Sequence, residues 1–259
     1  MNKIIKVFNS RNLLSEFFAK EILKQSSSLD EGNFLSIAFS GGSTPKKVFE
    51  FISENYKNKI PWEKVKIFWS DERCVSPEDN ESNYKMAYDS LIKNISIPEE
   101  NIFRIYGEID PSEEEVRYKF VLRGNIPSTN KIPSFDIMML GLGDDGHTAS
   151  IFPNNISLFN SDKICINTKH PESGQERITL TGKVINNSKN VYFFVTGKGK
   201  SKIVKEILNE DNSNKIYPAS LVEPSNGNLY WLLDKGAAIG IKKLEMRNNA
   251  ESTGHAKIN

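Results

Sequence analysis

The stretch that decides the fold runs from Phe135 to Pro153 and reads FDIMMLGLGDDGHTASIFP. It begins with an apolar run, Ile137 to Leu140, that predicts a buried strand. Three glycines follow, with two aspartates and a histidine among them. A strand that ends in such a turn places titratable side chains at the carboxyl edge of a sheet, where open α/β sheets bind their ligands.

Strands and helices alternate over most of the remaining chain. Short apolar runs predict further strands at 3–8, 34–39, 65–69, 101–106, 163–168, 177–181, 190–196 and 229–233. Start signals and helical spacing predict helices at 11–25, 46–53, 80–92, from 111 onward, 182–187 and 201–208. This alternation predicts a single α/β domain over residues 1–241 with a largely parallel sheet. The polar tail, residues 242–259, is predicted to be disordered.

Composition narrows the range of partners. The net charge of +1 gives no reason to expect a nucleic acid or an acidic membrane. No stretch resembles a signal peptide or reaches the roughly 18 apolar residues of a membrane span. The two cysteines, Cys74 and Cys165, have no metal-binding spacing and suit a reducing compartment. We therefore expect a cytoplasmic protein; its oligomeric state is left open, with a monomer favoured.

A loop of small residues follows the strand predicted at 34–39. It contains Gly41, Gly42, Ser43 and Thr44, and Pro45 suits the first position of the next helix. A strand, a small-residue loop and a helix N-terminus together make an anion site, because free amides and the positive end of the helix dipole meet there. The alternative is an ordinary helix cap, since Ser and Thr are common at that position.

Charged residues follow the strand at 65–69. Asp71 and Arg73 come directly after it, and an arginine there is a natural bidentate partner for phosphate or carboxylate. The alternative is a surface turn held by ion pairs. Two further cations are candidates. Arg177 ends a polar loop and opens the strand predicted at 177–181, and Lys200 lies in the glycine- and lysine-rich turn after the strand predicted at 190–196.

The turn in the opening stretch fits GxGxxG literally, but a dinucleotide site is a poor interpretation. That fingerprint opens the first βα unit of a nucleotide-binding fold, whereas here it lies past mid-chain and contains two aspartates. His147 is the only histidine in a glycine-rich turn after a strand. Asp145 can fix its tautomer and raise its basicity, as a general base requires.

Four motifs together resemble the 6-phosphogluconolactonase family. They are SGGSTP at 40–45, SDER at 70–73, GHTASIFP at 146–153 and RITLT at 177–181. The resemblance implies a three-layer, Rossmann-like α/β sandwich and hydrolysis of 6-phospho-D-glucono-1,5-lactone in the oxidative pentose phosphate pathway. It also implies no metal and no organic cofactor. The related glucosamine-6-phosphate deaminases have DEY where this chain has Asp71, Glu72 and Arg73.

The resemblance also assigns roles to individual residues. His147 is expected to be the base that activates water, assisted by Asp145. Two rival interpretations stay open: a glucosamine-6-phosphate deaminase-like isomerase, and a regulator that binds a sugar phosphate without turnover. The predicted substrate-binding residues are Gly41, Gly42, Ser43, Thr44, Asp71, Arg73, Gly143, Arg177 and Lys200.

Overall fold

The computed structural model describes residues 2–209 and 217–241, so the predicted polar tail and His255 lie outside the described residues. The strands are β1 Asn2–Phe8, β2 Leu35–Phe39, β3 Val65–Trp69, β4 Asp71–Arg73, β5 Ile102–Phe103, β6 Ser128–Thr129, β7 Ile132–Pro133, β8 Ile137–Leu140, β9 Cys165–Lys169, β10 Glu176–Leu180, β11 Asn190–Val195 and β12 Asn228–Asp234. The helices are α1 Arg11–Ser27, α2 Ser43–Asn55, α3 Asn83–Ser90, α4 Pro111–Asn125, α5 Gly182–Asn186 and α6 Ser201–Leu208.

A seven-stranded sheet forms the centre of the part of the chain that the structure describes. Its order is β1-β12-β11-β8-β2-β3-β5, and every neighbouring pair is parallel. All residues of β2 and β8 are buried, as expected for strands covered on both faces. The predicted α/β sandwich with a largely parallel sheet is therefore confirmed.

The winding of the chain creates a crevice beside the middle of the sheet. From β2 the chain moves to β3 on one side, whereas from β8 it moves to β11 on the other. Because crossover connections are right-handed, the two halves place their helices on opposite faces. The loops that leave β2 and β8 therefore separate at a topological switch point, the usual ligand site of such sheets.

A second sheet, which the sequence did not predict, stands beside this crevice. It is antiparallel, with the order β4-β10-β9. Ser70 links the two sheets, because its N–H donates to Phe39 O and its carbonyl accepts from Leu180 N, each at 2.8 Å. The chain leaves β3 at this residue and enters the second sheet.

Some predicted boundaries were wrong. The strand predicted at 101–106 contracts to two residues, Ile102 and Phe103. Helix α2 begins at Ser43, so Pro45 is its third residue rather than its first. Helix α3 begins three residues later than predicted, because Ser82 caps it by accepting the N–H of Lys85 at 3.1 Å. No helix in the described ranges is long and apolar enough to cross a membrane.

Candidate active site

The carboxyl edge of the central sheet opens into a cleft of about 380 Å³. The loops after β2, β8 and β11 contribute to its wall, as do β4 and β10 of the second sheet. Asp145 is the one predicted site residue outside this wall. The others line it: Gly41, Gly42, Ser43, Thr44, Asp71, Arg73, Gly143, His147, Arg177 and Lys200.

His147 and Asp145 form a hydrogen-bonded pair at this cleft. Nδ1 of His147 lies 2.6 Å from Oδ1 of Asp145, and the same oxygen accepts the backbone N–H of His147 at 3.1 Å. Because an ionised carboxylate only accepts hydrogen bonds, the neutral imidazole carries its proton on Nδ1, and Nε2 is the acceptor. Burial raises the pKa of the Asp145 carboxyl, but the hydrogen bonds from His147 outweigh burial and leave that pKa below its usual value.

Two glycines shape the turn that carries this pair. A Cβ on Gly143 would lie 2.1 Å from Nδ1 of His147, so only glycine leaves room for the imidazole. Gly146 has φ +81°, and a Cβ there would lie 2.4 Å from the ring of Tyr217. The amide of Gly143 donates to His147 O at 2.9 Å, and that of Gly146 donates to Gly143 O at 3.1 Å. Both amides are therefore already used inside the turn.

Asp71 is held rigidly in the wall of the cleft. Its side chain is buried, and Oδ2 accepts the hydroxyl of Ser150 at 2.7 Å. Ser150 is itself fixed, because its N–H donates to Oγ1 of Thr179 at 3.1 Å. Ala149, directly before it, adopts the left-handed φ of 48° that turns the chain toward Asp71. The end of the opening stretch thus reaches the second sheet and positions a carboxylate there.

Arg73 and Arg177 lie directly opposite each other on β4 and β10. Each has a buried Nε that has no hydrogen-bond partner among the described residues. Neither forms an ion pair within those residues, although Arg73 Nη1 donates to the carbonyl of Glu81. Burial, together with the charge of Arg73, lowers the pKa of Arg177. Two adjacent cations with unused donors form a ready site for a multivalent anion.

Glu72 supports this site from behind. Its buried carboxylate accepts the N–H groups of Arg73, Asn83 and Tyr84 at 2.8, 2.7 and 2.7 Å. Burial raises its pKa to about 7, and these hydrogen bonds offset burial only in part. A carboxylate that accepts amides of the first turn of α3 anchors that helix to β4. Glu72 therefore has a structural role within the SDER motif.

The loop after β2 lies against the same helix. A Cβ on Gly41 would lie 1.8 Å from Oδ1 of Asn83, so any larger residue here would displace the Asn83 side chain. Gly42 has φ +107° and precedes the first residue of α2. Thr44 Oγ1 lies 2.9 Å from Oγ1 of Thr196, which ties the N-terminus of α2 to the end of β11. The first turn of α2 thus faces the cleft.

Lys200 is already engaged within the protein. Its Nζ donates to the carbonyl of Leu142 at 2.7 Å and pairs with Asp144 at 2.7 Å. Both contacts connect the start of α6 to the glycine-rich turn after β8. Of the predicted cations at the cleft, Lys200 therefore has part of its charge neutralised, in contrast to the two arginines.

Comparison with known proteins gives the family. Residues 9–231 match the family described as glucosamine-6-phosphate isomerases/6-phosphogluconolactonase. The 6-phosphogluconolactonases of Aggregatibacter actinomycetemcomitans and Haemophilus influenzae are each 42% identical, over 78% of this chain and 85% of those proteins. The chain belongs to this family. The crystal structure of 6-phosphogluconolactonase from Leishmania guyanensis matches with a TM-score of 0.82 at 26% identity, over 93% of this chain and 100% of that one.

Several cleft residues of this family member were not among the predicted site residues. Asn83 donates from Nδ2 to Asp71 O at 2.9 Å and shapes the loop at Gly41. Phe152 contacts two imidazoles, with its ring centroid 4.7 Å from that of His147 and 5.0 Å from that of His170. The sequence signal for Phe152 was present, because it belongs to the GHTASIFP motif, whereas Asn83 and His170 reach the cleft only through tertiary contacts.

Proposed function

We propose that this protein hydrolyses 6-phospho-D-glucono-1,5-lactone to 6-phospho-D-gluconate, the second step of the oxidative pentose phosphate pathway. The observation that carries the proposal is the pairing of two features in one cleft. One is the oriented His147–Asp145 pair, and the other is the pair of arginines with unused donors. The relatives named 6-phosphogluconolactonase support the same reaction.

The phosphate of the substrate would bind at the second sheet. Arg73 and Arg177 supply the charge and the unused Nε donors. Gly42, Ser43 and Thr44 place the N-terminus of α2 on the same cleft, where free amides and the helix dipole favour an anion. Lys200 would contribute more weakly, since Asp144 already pairs with it.

The reaction follows from the orientation of His147. Nε2 takes a proton from a water molecule as the water oxygen attacks the lactone carbonyl carbon, and an oxyanion forms. When the oxyanion collapses, the bond from the carbonyl carbon to the ring oxygen breaks. The imidazolium then returns the proton to that ring oxygen, which leaves as a hydroxyl, and the new carboxylic acid loses its proton to solvent. Asp145 holds Nδ1–H and stabilises the imidazolium between the two steps.

The remaining residues position the substrate. We propose that Asp71, Gly41 and Gly143 contact the sugar, with Asp71 accepting from a hydroxyl. No step of this mechanism uses a metal or an organic cofactor. We also expect the protein to be cytoplasmic, because both of its cysteines are free thiols.

The test is hydrolysis of freshly prepared 6-phosphogluconolactone, with the spontaneous rate subtracted. Saturable hydrolysis above that background is expected. Ammonia release from glucosamine 6-phosphate in place of lactone hydrolysis would assign the protein to the deaminase branch of the family. Tight binding of 6-phosphogluconate with no turnover would identify a sugar-phosphate-binding regulator.

A further inference from the structure

His170 is a histidine of the cleft wall that has no part in the hydrolysis step. It lies in the turn that joins β9 to β10, and its ring contacts Phe152 edge-on at 5.0 Å. The ring of Phe152 also contacts that of His147, with the two ring centroids 4.7 Å apart. A histidine in this place is therefore next to the reacting pair but not in contact with it.

The turn fixes the tautomer of this histidine. Nδ1 accepts the backbone N–H of Glu172 at 3.3 Å and that of Ser173 at 3.2 Å. A nitrogen that accepts two N–H groups carries no proton, so the proton of the neutral ring is on Nε2. The turn is closed by two further hydrogen bonds, from His170 N to Gln175 O at 2.9 Å and from Gly174 N to His170 O at 3.0 Å. His170 is thus held as a neutral donor through Nε2–H.

The register of the second sheet aligns His170 with the arginines. Arg177 lies opposite both Arg73 and Thr168, and directly opposed residues share a face of the sheet. His170 follows Thr168 by two positions, and its hydrogen bond to Gln175 O continues the ladder by one residue. Residues two apart in a strand lie on the same face. The imidazole therefore stands on the face of the sheet that carries the guanidinium groups of Arg73 and Arg177.

We propose that His170 is a substrate-binding residue whose Nε2–H donates to a phosphoryl oxygen of the bound sugar phosphate. The proposal rests on the proposed function and identifies a neutral third donor beside two cations. A pair of arginines alone binds a planar carboxylate as well as a phosphate. A third donor that approaches from a different direction favours the phosphoryl group, because that group has three oxygens that are not in one plane with its phosphorus.

Two substitutions of His170 distinguish the role of Nδ1 from that of Nε2. His170→Asn retains an oxygen near the position of Nδ1, so the turn keeps its acceptor while the Nε2–H donor is lost. His170→Gln retains an amide N–H near the position of Nε2 and loses the acceptor for the turn. Ser173→Ala is the matched control, because it perturbs the same turn through the Ser173 hydroxyl that accepts Gln175 N at 3.3 Å and leaves the imidazole unchanged.

Isothermal titration with 6-phosphogluconate tests the proposal without turnover. The dissociation constant is expected to rise about 10-fold in His170→Asn, as for a lost hydrogen bond to a charged group, and to stay near that of wild type in the other two variants. An unchanged dissociation constant in His170→Asn, or an equal rise in Ser173→Ala, would overturn the proposal.

The same titration distinguishes failure of this proposal from failure of the proposed function. If wild type bound 6-phosphogluconate but did not hydrolyse the lactone, lactonase activity would be refuted. The dissociation constants of the variants would still test whether His170 binds the phosphoryl group. Nitrogen-15 correlation spectra give an independent readout, with His170 expected as the Nε2–H tautomer in the free protein. A ring protonated on Nδ1 instead would contradict the proposed donor.

Discussion

Replacing Arg177 by Met is expected to make the free protein more stable and the substrate bind less tightly. Arg177 faces Arg73 across two strands, and like charges in directly opposed positions are destabilising. Its Nε is also buried and has no hydrogen-bond partner in the part of the chain that the structure describes. Removing the guanidinium group relieves both effects, so the free energy of unfolding should rise by about 1 kcal/mol. For a chain of this size that corresponds to an increase in Tm of roughly 2–4 °C.

The effect on binding should have the opposite sign. Loss of hydrogen bonds between a guanidinium group and a phosphate costs about 1.5–3 kcal/mol, which raises KM for the phosphorylated lactone roughly 10- to 150-fold. Because the variant has lost one of the two cations proposed to bind phosphate, inorganic phosphate should stabilise the variant against heat less than it stabilises wild type. The value of kcat should change little, since His147 and Asp145 are untouched.

The assay is thermal unfolding with and without inorganic phosphate, followed by steady-state kinetics with the spontaneous rate subtracted. Lys169→Met is the matched control, because it removes an exposed cation from the neighbouring strand and breaks only a 3.3 Å ion pair with Glu176. It should leave KM close to that of wild type. A lower Tm in Arg177→Met together with an unchanged KM would refute the assignment of the arginine pair to the phosphate.

Three further variants test the rest of the site. His147→Ala should lower kcat roughly 10²–10⁴-fold while 6-phosphogluconate still binds in a titration; near-normal turnover would remove His147 as the base. Gly146→Ala should destabilise the fold by at least about 2 kcal/mol and lower kcat, because a Cβ enters a left-handed position against Tyr217; unfolding curves identical to wild type would contradict this. Glu72→Gln should remove a pH dependence: because the pKa of Glu72 is raised from 4.5 to about 7, its contribution to stability is complete below pH 4.5 and is lost as the pH rises through about 7. Wild type should therefore lose up to about 3 kcal/mol relative to the variant between pH 4.5 and 8 in urea titrations, and parallel curves would disprove it.

The sequence predicted the central architecture because apolar runs and glycine-rich turns are local signals. Ile137 to Leu140 form β8 as predicted, and Ser201 to Leu208 form α6 with both boundaries correct. The carboxyl-edge location of the turns also followed, since parallel neighbours bring their strand ends together. Less regular segments were harder to predict, and the strand predicted at 101–106 is only two residues long, at one edge of the sheet.

The sequence by itself determined the local geometry of the stretch from Phe135 to Pro153, through its residue types and their spacing. Asp145 and His147 lie two positions apart in a tight turn, so their hydrogen bond is a local consequence of Phe135 to Pro153. The glycines at 143 and 146 are likewise explained within that turn, although the partner that packs on Gly146 is Tyr217.

Only the tertiary structure brings together the two arginines that we propose as the anion site. Arg73 and Arg177 are far apart in sequence, and only the antiparallel pairing of β4 with β10 sets them opposite each other. The same sheet places His170 on their face. Pairing between distant strands depends on which apolar faces the whole chain must bury, and no local pattern encodes that register.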